Sequence, residues 1–139
     1  MKVFLDTNVW IDFLLERQPR YVFSAAILSL AVEGRCSVCI SSLTVVNAHY
    51  VCHDKAKMPL KILRKKMYAL RDWVQICDVA AEDIYNSYSN DWDDFEDGVQ
   101  YYSAVRAGAD YIVTGNTKDF SLSTIPVYSA AEFIRLIRE

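Results

Sequence analysis

The chain has 139 residues, of which 53% are hydrophobic and 24% charged, with a formal net charge of −3. That size and composition suit one folded domain over residues 1–139 and exclude a disordered chain. No apolar run reaches the roughly 18 residues of a membrane span, and the opening Met1-Lys2-Val3-Phe4-Leu5-Asp6 lacks the apolar stretch and cleavage site of a secretory leader, so a cytoplasmic chain without a membrane anchor is expected.

Lys2–Leu5 is a short apolar run ending at Asp6 and reads as a first buried strand. Asn8–Leu15 follows as a helix capped by Thr7 or Asn8 and broken by Pro19. Tyr21–Glu33 carries apolar residues at helical spacing, with Gly34 where a helix closes. Ser37–Ile40 is a second strand, and Ser41-Ser42 caps a helix running through Val51. Lys55–Pro59 is a polar linker. Leu60–Asp72 predicts a basic amphipathic helix with Ile62, Leu63, Met67 and Leu70 inward. Trp73–Ile76 is a third strand, Ala80–Asn90 a helix, Asp91–Asp94 an acidic turn, and Phe95–Ala107 a helix ended by Gly108. Tyr111–Thr114 is the fourth strand, followed by Gly115; Pro126–Tyr128 is a short fifth, and Ala130–Arg138 the last helix.

Strands separated by helices imply an α/β fold: a three-layer α/β/α sandwich on a central parallel sheet of four to five strands, with right-handed crossovers. In such a sheet ligands bind beyond the carboxyl ends of the strands, where strand order reverses. Cys36 and Cys39, three residues apart around the second strand, point to opposite faces and make a poor pair of ligands. With Cys52 and Cys77 they read as free thiols. His49 and His53, four apart on one helix, read as flanking the core or a partner surface.

Asp6 follows the first strand, and Asn116 and Asp119 follow the fourth, so both groups fall at carboxyl strand ends. Asp93, Asp94, Glu96 and Asp97 crowd the start of the helix that precedes the fourth strand. Taken singly, each has an ordinary explanation: a helix cap at Asp6, a turn at Asp119, a helix dipole favouring acids in a first turn. The dipole does not account for four acids within residues 93–97, whose mutual repulsion calls for a cation. Three separated segments bring acids to one edge of one sheet, and hard divalent cations such as Mg²⁺ or Mn²⁺ prefer those oxygen donors.

Phe4-Leu-Asp-Thr-Asn-Val-Trp10 resembles the opening of PIN domains, in which an Asp ends the first strand. The stretch from Asp94 to Phe120, containing Asp94-Phe-Glu-Asp97 and Asn116-Thr-Lys-Asp-Phe120, resembles the family's closing acidic helix, strand and N-x-x-D-F turn. Ile125-Pro-Val and the final helix also fit, so the resemblance covers nearly the whole chain. It implies a PIN-like, Rossmann-like fold and a metal-dependent RNase, often the VapC-like toxin of a bacterial toxin–antitoxin pair. Asp6 and Asp97 match the family's first and third acids, Asp94 an extra acid of one branch, and Asn116 with Asp119 the fourth. Many PIN nucleases carry a Glu in the helix after the second strand; here Asn47 takes that place, as in one branch of the family.

The expected function is RNA phosphodiester hydrolysis, with Asp6, Asp94, Asp97 and Asp119 catalytic. Asp6, Asp97 and Asp119 would hold Mg²⁺ or Mn²⁺, and Asn47, Asn116, Thr7 and Thr114 would support them. RNA is the expected substrate, an antitoxin the expected partner. The helices from Asn8 to Glu33 offer either a peptide groove or a homodimer face. Lys55, Lys57, Lys61, Arg64, Lys65, Lys66 and Arg71 form a basic stretch for RNA or a solvated helix face. Tyr85, Tyr88 and Trp92 suit base stacking or helix packing. Two other readings stay open: a weak or inactive PIN-like module that binds RNA or a protein without cutting, favoured by Asn47, and a receiver-like phosphatase with Asp6 as nucleophile beside Thr114 and Lys118.

Overall fold

The computed structural model describes residues 1–138. Five parallel strands, β1 (Lys2–Leu5), β2 (Ser37–Ser41), β3 (Val74–Cys77), β4 (Tyr111–Val113) and β5 (Val127–Tyr128), form one sheet in the order β3-β2-β1-β4-β5. All four pairings are parallel. The helices are α1 (Thr7–Leu14), α2 (Tyr21–Val32), α3 (Ser42–His49), α4 (Leu60–Leu70), α5 (Ala81–Ser89), α6 (Phe95–Arg106) and α7 (Ala130–Arg138). They cover both faces of the sheet, giving the expected three-layer α/β/α fold. Among the described residues no helix is long and apolar enough to cross a membrane.

Strand alternation sends neighbouring residues to opposite faces. Val3 and Leu5 of β1, with Val38 and Ile40 of β2, face a core completed by Trp10, Leu14, Ile27 and Phe133 from α1, α2 and α7. Phe4 and Cys39 face the other way, against Tyr101 and Ala104 of α6 and Phe120. Cys36 and Cys39 therefore lie in different cores, and the four cysteines are free and buried. On that second face Cys39 and Cys77 share one buried cluster, and the interaction between the two thiols pulls Cys77 below the usual thiol range and pushes Cys39 above it.

Several element ends differ from the sequence expectation. Asp6, not Thr7 or Asn8, caps α1: its carboxylate accepts from the Thr7 N–H at 2.8 Å. After α3 the chain does not relax into loop but continues through a π-helical turn, Tyr50–Lys55. Ile62 does not point inward: it is 47% exposed, because α4 meets the core along a narrow stripe of Leu63, Met67 and Leu70. Trp92 is half-buried against Tyr101, Tyr102 and Phe120, whereas Tyr88 is exposed and stacks on Phe95 with centroids 4.4 Å apart. Gly34 takes the left-handed φ of +75° that closes α2. At Gly98 a Cβ would run into the Ser87 hydroxyl and the Trp92 ring, so glycine lets α6 lie close against α5.

Candidate active site

β1 leads to β2 and β3 on one side and lies beside β4 on the other, so strand order reverses between β1 and β4. Asp6 stands at the carboxyl end of β1 and Thr114 at that of β4. The two are joined across this gap. The Asp6 N–H donates to the Val113 carbonyl at 2.9 Å, and Thr114 Oγ1 donates to Asp6 Oδ2 at 2.8 Å. The Asp6 side chain is buried, 6% exposed, with one oxygen held by Thr114 and the other by the Thr7 N–H. Burial pushes its pKa up, the bonds from Thr114 and Thr7 pull it down, and the charges of Glu96 and Asp94 add to the rise.

The first turn of α6 brings the next acids. Asp94 caps the helix by accepting the Asp97 N–H at 3.0 Å. Asp97, half-buried, has its pKa pushed up to about 7, first by burial and then by the charges of Asp6, Asp94, Asp119 and Glu96. Those charges come from three separate segments of the chain, the end of β1, the start of α6 and the turn after β4. Asp119 arrives on a 3₁₀ turn, Thr117–Phe120, pinned by Phe120, which is buried in the α6 core. Asp93, Asp94, Lys118 and Asp119 line one cleft of about 240 Å³.

The supporting residues enter in different ways. Asn47 of α3 donates through Nδ2 to Glu96 Oε1 at 2.6 Å, leaving its Oδ1 as the available acceptor. Asn116 joins through its backbone: its N–H donates to Thr114 Oγ1 at 3.2 Å and its carbonyl accepts from the Asp119 N–H at 3.0 Å, while its side chain is exposed. The Thr7 hydroxyl has a hydroxyl and an amide for partners, not a carboxylate. It bonds Thr44 Oγ1 and accepts from Gln100 Nε2, both at 2.9 Å.

Gln100 escapes sequence reasoning. Buried in α6 at 1% exposure, its Nε2 also donates to Thr44 Oγ1 at 2.7 Å, and its Oε1 accepts from Ser41 Oγ at 2.6 Å. Asp6 Oδ1 lies 3.4 Å from the same Nε2. One amide thus ties α6 to the ends of β1 and β2 beneath the acids. No local signal marks it, since a glutamine in an amphipathic helix reads as surface. Glu96, noticed only as one acid in a crowd, is the residue that engages Asn47.

A divalent cation of the magnesium type calls for oxygen donors, and the acids around Asp97 are all oxygen donors. Among the described residues no group of three or more His, Cys, Asp or Glu stands arranged to hold an ion directly. The chemistry fits such an ion all the same: the donors are oxygens, and Asp97 carries an excess of neighbouring negative charge that a cation removes. Magnesium-type ions keep several waters, which span carboxylates standing too far apart for shared direct ligation.

Over residues 2–118 the sequence matches the family described as PIN domain. No curated protein matches the chain at a significant level. Solved structures share its fold. VapBC2 from Rickettsia felis, crystallised on a DNA fragment from its promoter, aligns with a TM-score of 0.65 and 18% identity over 93% of this chain and 98% of that one. VapC20 from Mycobacterium tuberculosis, described as a sarcin-ricin loop cleaving toxin, gives 0.60 and 14% over 79% and 86%. PAE2754 from Pyrobaculum aerophilum gives 0.66 and 11% over 100% and 91%.

Proposed function

The chain belongs to the PIN-domain family, and from that premise we propose that it is a Mg²⁺- or Mn²⁺-dependent endoribonuclease acting as the toxin of a toxin–antitoxin pair. The observation that carries the reading is Asp6, buried at the point where strand order reverses and held there by Thr114, with Asp94, Asp119 and Glu96 joining it in pushing Asp97 upward by their charge. The sarcin-ricin loop activity named for VapC20 supports RNA as substrate, and the VapBC2 complex supports an antitoxin partner. We read residues 1–139 as one domain working in the cytoplasm. Exposed Val22 on α2 and Val46 on α3 offer apolar surface to an antitoxin or to a second copy of the chain.

Asp6, Asp97 and Asp119 would hold the cation, with Asp94, Asn47 and Asn116 beside them. When bound, the ion lowers the pKa of its water and offsets charge on the phosphate oxygens. The protein's part is positional. Thr114 and the Thr7 N–H fix both oxygens of Asp6. Asp94 holds the first turn of α6, and so the backbone of Asp97. In the cation-free chain Asp97, its pKa pushed up to about 7, would exchange a proton with solvent near neutral pH. Lys61, Arg64 and Lys65 on the exposed side of α4 supply positive surface for the phosphate backbone, whereas Lys66 is occupied by the Leu14 carbonyl at 3.0 Å.

The test is cleavage of a structured RNA with Mn²⁺ or Mg²⁺. Cutting that stops on adding EDTA is the expected result. Intact RNA under both ions would leave the second reading, a module that binds RNA or protein without cutting, which Asn47 in place of an acid favours. The family match displaces the receiver-like reading of Asp6. Asn47 has its own test. Replacing it by Leu removes the carbonyl donor and the bond to Glu96, so Mn²⁺ affinity measured by calorimetry should fall roughly tenfold; unchanged affinity would take Asn47 out of the site.

A further inference from the structure

A cavity of about 220 Å³ lies between α1, the start of α2, the end of β4 and the start of α7. Val9, Phe23, Ala131, Thr114, Gly115 and the exposed Arg20 are among its lining residues. Thr114 is the residue whose hydroxyl holds Asp6, so this space and the acidic cluster share a side chain. The volume is below the roughly 300–1,000 Å³ of sites for drug-sized ligands, which suits a single flat ring system better than a stretch of peptide.

The lining carries fixed positive charge. Arg20 Nε donates to Asp12 Oδ2 at 2.9 Å, and Arg17 holds the other oxygen of that buried carboxylate at 2.8 Å. The Arg20 side chain is 59% exposed, so with Nε engaged its terminal nitrogens remain for a partner from solvent. Arg20 also stands at the N-terminus of α2, where the helix dipole adds to the attraction for an anion. A chain of phosphates approaching the acids needs such a cation, because the cluster itself repels it.

We propose that this cavity binds the nucleotide adjacent to the scissile phosphate, with its base against Phe23 and Ala131 and its phosphate on Arg20. The proposal rests on the nuclease reading above and deepens it. Phe23 is half-buried and presents ring surface on which a base stacks without regard to sequence.

Adenosine 5′-monophosphate titrated into the full chain in EDTA, followed by amide NMR, tests the site. Saturable shifts are expected at Phe23, Ser24, Gly115 and Ala131. Arg20→Met should weaken binding about tenfold by removing the charge-assisted bonds, while Arg17 keeps Asp12 paired. Ala131→Phe, which fills the cavity away from Asp12, should give a similar loss. Absence of saturable shifts at these amides, or equal affinity in both variants and wild type, overturns the proposal. So does N-acetylphenylalaninamide moving the same amides equally in wild type and Arg20→Met, which marks a pocket for an apolar peptide side chain. RNA cleavage assayed in parallel separates the two readings. Nucleotide binding by a chain that cuts no RNA refutes the nuclease function, while cutting without nucleotide binding refutes the subsite alone.

Discussion

Asp97→Asn should abolish most Mn²⁺-dependent RNA cleavage, lowering the rate by at least about a hundredfold, equivalent to roughly 2.7 kcal/mol of transition-state stabilisation. The same change should make the cation-free chain more stable at pH 8. Both effects come from one fact: the Asp97 carboxyl is half-buried among Asp6, Asp94, Asp119 and Glu96, and its pKa rises from 3.8 to about 7. An acid whose pKa is higher in the folded state is bound to its proton more tightly there than in the unfolded chain. Its contribution to stability is therefore complete below about pH 3.8, erodes as pH climbs, and is gone above about 7.

Asparagine carries no charge and shows no such slope. In EDTA the wild-type melting temperature should fall relative to that of Asp97→Asn between pH 4 and 8, crossing below it at the alkaline end. Adding Mn²⁺ at pH 8 should raise the wild-type value, because an ion that binds only the folded state stabilises it, and should raise that of the variant far less. Parallel pH profiles for the two proteins, or equal cleavage rates, would remove Asp97 from the proposed site. A merely structural cap would not produce this pair of opposite signs, since loss of a cap lowers stability at every pH.

The places of Asp6 and of the turn carrying Asp119 could be read in advance because they depend on strand ends, whereas Asp94 and Asp97 depend on where α6 begins. Lys2–Leu5 and Tyr111–Val113 are apolar runs of the right length, and Asp6 and the Thr114–Asp119 turn lie directly behind them. Less was legible where a neighbour from elsewhere decides the outcome. The π-helical turn at Tyr50–Lys55 has no period of its own in the sequence and extends α3 toward α4. Ile62 satisfies an amphipathic pattern on α4, yet only one narrow stripe of that helix reaches the core. Asp83 reads as a surface acid of α5 but is buried, accepting from the Ala80 N–H at 2.8 Å and from Arg106 Nη2 at 3.0 Å. Gln100 belongs to this second kind, for its partners Ser41, Thr44 and Thr7 come from segments more than fifty residues away.

Gln100→Leu should cost about 2 kcal/mol of folding stability by urea unfolding and should reduce RNA cleavage at temperatures where the variant is still fully folded. Gln100 Nε2 has two hydrogens, and the nearest acceptors are Thr44 Oγ1 at 2.7 Å and Thr7 Oγ1 at 2.9 Å, with Asp6 Oδ1 farther off at 3.4 Å. Leucine fills similar space but strands these hydroxyls and the Ser41 hydroxyl, each buried or half-buried. The loss is held toward the lower end because some bonds survive: Thr7 with Thr44 at 2.9 Å, and Ser41 with Thr44 at 3.3 Å. Gln100→Glu should fare worse, since a carboxylate there faces Asp6 with little water between them. Its ionised form is disfavoured in the fold, so its stability should drop further as pH rises, while that of Gln100→Leu should follow the wild type. A Leu variant as stable as the wild type would mean that the amide merely fills space. A stable Leu variant with unimpaired cleavage would show that the acids hold their positions without the tie between α6 and the ends of β1 and β2.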